Sequence, residues 1–326
     1  MKAVLVREAG GADNLYLGEA PRPAPAPGEI LVRVHATALN RADILQREGK
    51  YPPPEGASPI LGLEMAGAVE TVGAAVDRWR PGDRVCALLP GGGYAEYVAV
   101  PQDVAMAVPP ALSFEDAAAI PEVFLTAYQA LYWYGKLEEG SHVLIHAGAS
   151  GVGTAAIQLA RAAGAHPYVT ASAGKLDACR RLGAELAVDY RSEDFAERVL
   201  AHTHGHGADV IIDFIGAPYL KSNVETLAVD GRIILLATMG GSRVEDFDLR
   251  ALFRKRGQFI TSALRSRSHD YKRRLTREFA AYAMPLFERG ILRPVIDSTF
   301  DWSDAPTAHR RMESNQNTGK IILHIP

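Results

Sequence analysis

His142–Gly164 reads HVLIHAGASGVGTAAIQLARAAG: an apolar run, a glycine turn, then a stretch of helix formers that stops at a glycine. A glycine turn between a strand and a helix signals dinucleotide binding, because the N–H groups that open the helix face the pyrophosphate. Gly148 and Gly153 take the first and third glycine places of G-x-G-x-x-G, whereas the middle place holds Ser150, followed by Gly151. The physical requirement survives, since a small residue still lets the backbone approach a phosphate and Ser150 adds a hydroxyl. A tight turn ahead of a packed helix would explain the glycines alone, but the strand and helix around them favour cofactor binding. A nucleophile elbow is excluded because Val152 stands where G-x-S-x-G needs glycine.

Outward from this motif, strand-like runs alternate with helical ones, as in a doubly wound parallel sheet. Strands are expected at His142–His146, Pro167–Thr170, Val210–Phe214, Arg232–Ala237 and Phe259–Leu264, with helices at Thr154–Ala163 and Leu176–Leu182. The second strand ends in PYVTASAGK, Pro167–Lys175. An NAD-selective site places a carboxylate about twenty residues beyond the glycines to hold the ribose hydroxyls. Here none precedes Asp177, while Thr170, Ser172 and Lys175 offer hydroxyls and a cation. The end of this strand suits a 2′-phosphate, and the cofactor expected is NADPH.

The first third differs in texture. Short β-type runs such as Ile30–Val34 and Ala95–Val100 are broken by Pro and Gly clusters, which suggests a compact β-rich domain. A later helix, about Tyr271–Phe287, and the run Lys320–Ile325 read as a return to it. The fold class expected is α/β, with a β-rich domain from residues 1–122 and 268–326 and an inserted nucleotide-binding domain at residues 123–267.

Composition bounds the function. The 326 residues are 48% hydrophobic and 22% charged, with a formal net charge of −3, which gives no general attraction to nucleic acid or an anionic membrane. The N-terminus lacks the pattern of a secretion signal and no apolar run is long enough to span a bilayer, so a cytoplasmic protein without membrane association is expected. Cys86 and Cys179 are too few for a four-thiolate site and read as buried free thiols. The tract His202-Thr-His-Gly-His206 reads as an exposed loop without a fourth ligand, and the basic residues from Arg250 to Arg277 as solvated faces with some cofactor contact.

Particular words then resemble the medium-chain dehydrogenase/reductase superfamily over the whole chain: ALNRADILQREGKYPPP (Ala38–Pro54), ILGLEMAG (Ile60–Gly67), LLPGGGYAEY (Leu88–Tyr97), AAAIPEVFLTAYQAL (Ala117–Leu131), the glycine loop and LRSRS (Leu264–Ser268). The likeness is closest to the zinc-free quinone oxidoreductases, in the branch of the p53-inducible quinone oxidoreductase. It implies a GroES-like catalytic domain beside a Rossmann domain. Where zinc-dependent relatives place Cys and His ligands, this chain has Asn40 and Leu63 beside Glu64, and no four-cysteine loop follows Gly93, so no metal is expected.

The resemblance places Asn40, Tyr51 and Thr126 around the nicotinamide. It assigns Ser150, Gly151 and Val152 to the pyrophosphate, Ser172 and Lys175 to the 2′-phosphate, Tyr190 to the adenosine, and Phe214, Met239, Gly240, Leu264 and Arg265 to the remaining length. Three activities are compatible: hydride transfer from NADPH to a small-molecule quinone, the expectation the resemblance favours; reduction of an enone or enoyl double bond; and an NADPH-responsive RNA-binding protein, supported only by the basic residues. A homodimer pairing through the strand near Phe259–Leu264 is also implied, with nucleic acid not expected as a partner.

Overall fold

The computed structural model describes residues 1–326 throughout. The chain divides into two compact units, Met1–Leu125 with Leu264–Pro326, and Thr126–Ala263.

The second unit is built on six parallel strands in the spatial order Leu186–Asp189, His166–Ala171, His142–Ile145, Ala208–Asp213, Leu227–Leu235 and Gln258–Thr261. The chain starts in the middle, runs outward to one edge, then returns to build the other half. The order therefore reverses beside His142–Ile145, where ligands bind at the carboxyl ends of such sheets. Val143, Leu144, Ile145, Ile211 and Ile212 are all 0% exposed, as expected where helices cover both faces. Each such side chain contributes about 1.5–3 kcal/mol by leaving water.

The glycine-flanked helices form where the sequence places them, at Gly151–Ala162 and Leu176–Leu182. The second ends on Gly183 in the left-handed conformation at φ 111°, where glycine carries no Cβ penalty. Three strands differ from expectation. Leu186–Asp189 is only four residues long and gave no clear pattern; Leu227–Leu235 begins earlier than Arg232, with Asp230 bending at φ 64°; the last strand stops at Thr261. That strand is an edge of the sheet, and its Phe259 is exposed.

The first unit contains a two-stranded sheet, Lys2–Val6 with Leu15–Glu19, and a seven-stranded one. Glu29–Ala38 is the hub of the larger sheet, pairing antiparallel with Glu64–Val72, Tyr97–Pro101 and Lys320–His324. Gly67 allows the close approach of two of these strands, since a Cβ there would lie 2.0 Å from the Arg33 carbonyl oxygen. The core gathers Ile30, Val32, Val34, Met65, Val85, Tyr94, Ile321 and Leu323. The twenty-residue helix His269–Glu288 buries Leu275, Phe279, Ala283 and Phe287 at four-residue spacing. Phe124, on the first turns of the helix Pro121–Tyr128, packs edge-on against Phe287 with ring centroids 4.9 Å apart. No helix is long and apolar enough to cross a membrane.

Candidate functional site

In the nucleotide-type unit, Ser150 caps the helix Gly151–Ala162: its Oγ accepts from the Gly153 N–H at 3.0 Å. Its hydroxyl hydrogen stays available to an acceptor. The Gly151 and Val152 N–H groups have no acceptor within the chain, leaving two donors at the positive end of a twelve-residue helix. A Cβ on Gly153 would lie 2.5 Å from the Ala147 oxygen, and one on Gly148 2.6 Å from the Val169 Cβ. Both glycines are required by packing, and the resulting cradle fits a dinucleotide pyrophosphate.

The neighbouring strand end brings further predicted residues together. Gly148 N–H donates to the Thr170 oxygen at 2.9 Å, Lys175 N–H to the Ser172 oxygen at 2.8 Å, and Tyr190 N–H to the Ala171 oxygen at 3.3 Å. Ser172, Lys175 and Tyr190 thus gather beside the cradle, with no carboxylate on the strand His166–Ala171 or in the turn after it. Phe214 and Met239 are joined by a backbone bond of 3.0 Å beyond the next two strands, with Gly240 alongside on Ile215; Met239 is 58% exposed. Thr126 stands one helical turn beyond Glu122 on Pro121–Tyr128. Leu264 and Arg265 are buried in the catalytic unit.

Sequence reasoning missed what shapes this crevice from beneath. Asp213, 1% exposed, accepts from the Ile215 and Gly216 N–H groups at 2.6 and 3.1 Å and from Asn223 Nδ2 at 3.0 Å. Asn223 Oδ1 lies 2.7 Å from His146 Nε2, and His146 Nδ1 2.9 Å from Thr170 Oγ1. Burial pushes the His146 imidazole down to about 4, so it is neutral at pH 7 and links three strand ends.

The catalytic unit carries a second buried network. Lys320 Nζ lies 2.8 Å from Glu64 Oε1 and donates to Asn40 Oδ1 at 2.7 Å and the Leu39 carbonyl at 2.6 Å. Asn40 Nδ2 donates to Glu64 Oε1 at 2.9 Å and to the Ala38 oxygen at 3.3 Å. Glu64 Oε2 accepts from the Glu122 N–H at 2.8 Å, and Asp43 holds the Asn40 and Gly62 N–H groups at 2.8 and 2.9 Å. Asn40, expected around the nicotinamide, has both of its N–H groups and its oxygen engaged inside the unit. It positions Glu64 and Lys320.

Tyr51 and Arg265 behave differently. The guanidinium lies 5.2 Å from the Tyr51 ring centroid. Arg265 Nε and Nη2 donate to the Pro90 oxygen at 3.0 and 2.7 Å, and Nη2 also to Gln46 Oε1 at 2.6 Å. Nη1 is buried without an acceptor, an arrangement that costs about 1–3 kcal/mol. The Tyr51 hydroxyl also has no partner within the chain, and burial raises its pKa. Arg265, expected along the cofactor, is thus fixed beneath Tyr51 in the catalytic unit.

The expected metal positions carry no ligand set. Leu63 is 1% exposed in the core, Asn40 and Glu64 are bound to an ammonium, and no group of three or more His, Cys, Asp or Glu side chains is arranged for a metal. The histidine tract is occupied locally, with His206 on Asp209 at 2.9 Å and the His202 ring against Tyr168. Among the basic residues, Arg256 pairs with Asp230, Lys255 donates to the Leu227 oxygen, and Lys272 donates to the Arg265 oxygen. Cys86 and Cys179 are buried free thiols.

Two families match parts of this frame: the alcohol dehydrogenase GroES-like domain over residues 26–110 and the zinc-binding dehydrogenase over residues 151–281. An NAD-dependent alcohol dehydrogenase structure is 32% identical and superposes with a TM-score of 0.88 over 100% of both chains. The chain belongs to the medium-chain dehydrogenase/reductase superfamily. Within this superfamily it is also similar to a Pseudomonas syringae quinone oxidoreductase, 30% identical over 99% of each chain at a TM-score of 0.87. The CurK enoyl reductase is 28% identical, covering 100% of this chain and 99% of its own, at 0.88. A mycobacterial protein solved with NADPH is 28% identical over 100% of both chains, also at 0.88. The mycocerosic acid synthase-like polyketide synthase of Mycobacterium tuberculosis is 34% identical over 326 residues, which is 98% of this chain. The chain spans about 15% of the length of the curated relatives it matches.

Proposed function

We propose that this chain is an NADPH-dependent reductase of carbon–carbon double bonds conjugated to a carbonyl, as in enones and enoyl thioesters. The observation that carries the reading is the half-buried Tyr51, whose hydroxyl has no partner within the chain and whose ring is held against the Arg265 guanidinium. Reduction of such an acceptor puts negative charge on its carbonyl oxygen, and donors aimed at developing charge stabilise the transition state more than the ground state. Bound NADPH supplies the hydride. Its pyrophosphate is assigned to the Ser150, Gly151 and Val152 cradle, its 2′-phosphate to Lys175 and Ser172, and its adenosine to Tyr190, with Phe214, Met239 and Gly240 along the remainder and Thr126 near the nicotinamide. The likeness to enoyl reductases and to a segment of polyketide synthases supports the double-bond substrate.

Quinone reduction is the second reading, favoured by the similarity to a quinone oxidoreductase and by the aromatic face of Tyr51. A quinone becomes a phenolate-like anion that water can protonate, so it demands no strong acid of the protein. Pairing of two copies through the edge strand Gln258–Thr261 belongs to the same proposal, since it would cover an exposed strand edge.

The test is a head-to-head acceptor panel with NADPH under anaerobic conditions. An enone or an enoyl thioester should exceed every quinone in kcat/KM. The reverse order would replace this reading with quinone reduction.

A further inference from the structure

A cavity of about 750 Å³ opens in the catalytic unit, and every residue that lines it belongs to that unit. Leu5, Ile60, Leu88, Ala99 and Pro101 make its wall largely apolar. From Leu88, which pairs with Glu64, it extends to Pro101, which pairs with Glu29 at the end of Glu29–Ala38 remote from Asn40. None of Asn40, Asp43, Tyr51, Glu64, Arg265 and Lys320 lines it. A cavity of this size, mostly apolar with a few placed polar groups, has the character of a small-molecule site.

Three of the lining residues, Ser58, Gly91 and Lys272, offer donors that the chain leaves unused. Lys272 Nζ makes a single hydrogen bond, to the Arg265 oxygen at 2.7 Å, and meets no carboxylate at ion-pair distance. Burial lowers its pKa, so the ammonium gains from an anion placed against it. The Arg265 guanidinium in turn holds the Pro90 oxygen, which ties the start of the helix carrying Lys272 to the turn that contains Gly91. Gly91 is buried, and its N–H has no acceptor within the chain. A Cβ there would lie 2.6 Å from the Ser58 oxygen, so the two loops meet at this point. Ser58 Oγ accepts from the Ile60 N–H at 3.3 Å and keeps its own hydrogen to donate.

We propose that this cavity binds a monocarboxylate with an unbranched apolar chain, its head at Lys272, Ser58 and Gly91 and its chain along the apolar wall. Charge complementarity selects the head. The other charged groups on the wall are Glu19, Glu29 and His269; the Glu29 carboxylate accepts from the Ala26 N–H at 3.0 Å, and His269 is paired with Asp103 at 3.0 Å. One free ammonium balances one negative charge, whereas a dianionic head would carry an excess past two carboxylates. The wall supplies no further donor set for a polar body, so the remainder of the ligand is hydrocarbon, which gains by leaving water. The site is independent of the double-bond reading, since it uses neither NADPH nor any group assigned to the acceptor.

The experiment is calorimetric titration of the full chain with dodecanoate below its micellar concentration, with dodecan-1-ol and acetate as controls. Dodecanoate should bind once per chain, with or without saturating NADPH, and acetate should give no heat. Dodecan-1-ol should bind roughly ten- to a hundredfold more weakly, for want of the charge-assisted bond. Lys272→Met should erase that difference between acid and alcohol. Ala99→Phe, which fills the cavity from the strand Tyr97–Pro101, should abolish binding of both while its circular dichroism spectrum and NADPH affinity match wild type. Absence of dodecanoate binding, or an affinity undiminished in Lys272→Met, overturns the proposal. Displacement of dodecanoate by an enone or a quinone overturns it as well, because the chain would then occupy the acceptor site.

Discussion

At Ser150–Gly153 the chain functions by leaving side chains out, whereas around Lys320 it packs an ammonium, carboxylates and an amide where Lys320 and Glu64 are 3% and 0% exposed. The glycine loop offers backbone donors to a charge that comes from outside. The Lys320 network satisfies its charges internally, on Glu64, Asn40 and the Leu39 carbonyl. The two regions should therefore fail differently when altered: the first in cofactor affinity, the second in stability and in turnover.

The largest effect is expected from Lys320→Met. It leaves Glu64 charged and buried without its cation, and breaking such a pair costs about 3–5 kcal/mol. Urea unfolding should show the loss; folded protein at low temperature should still bind NADPH normally, because the glycine cradle is untouched. Undiminished stability would mean that the ion pair is not what holds Asn40, Glu64 and the last strand together.

Lys175→Ala tests the other side. Loss of a charge-assisted bond worth about 1.5–3 kcal/mol should weaken NADPH binding by roughly ten- to a hundredfold. Fluorescence titration should show NADH binding nearly unchanged and stability unaffected. An equal loss for both cofactors would remove the 2′-phosphate from the account of Lys175.

A smaller effect, spread over pH, separates the regions again. The His146 imidazole, held at about 4 when folded, has an ordinary value near 6.5 when unfolded. The unfolded chain takes up that proton first, so stability from this group is complete above 6.5 and is lost as pH falls toward 4, at up to about 1.4 kcal/mol per pH unit. Asp43 in the catalytic unit has the opposite sign: raised to about 6 by burial, it favours the folded state increasingly as pH falls from 6 toward 3.8. Unfolding of His146→Gln should show a shallower loss of stability between pH 6.5 and 4 than wild type. An unchanged slope would place the acid-sensitive group elsewhere.

The expected site residues divide along the same line. The expectation for Ser150, Gly151, Val152, Ser172, Lys175 and Tyr190 rests on a strand, a turn and a helix that are local, and the next strand in the chain is also the next in the sheet. Nothing local singles out Lys320, Glu122, Asp213 or His146. Lys320 sits in TGKIIL, where a lysine reads as a strand-edge cation, and Glu122 in AIPEVF, where a glutamate after proline reads as a first-turn acid. Asn40 was noticed for the right chemistry, hydrogen bonding, but its partners are Glu64 and Lys320, twenty-four and 280 residues away.

By itself the sequence determined the α/β class, the glycine cradle and the absence of an acid after the second strand. Each depends on backbone periodicity, on where a Cβ can be tolerated, or on which residue types are present over a short span. Tertiary structure alone decided which polar groups are consumed in the interior and which remain open. That outcome depends on strands and helices distant in the chain converging, since a buried donor or charge is satisfied only by whatever folding brings within about 3 Å of it. The strand Lys320–His324 pairing beside Glu29–Ala38 is what carries the Lys320 ammonium to Asn40 and Glu64.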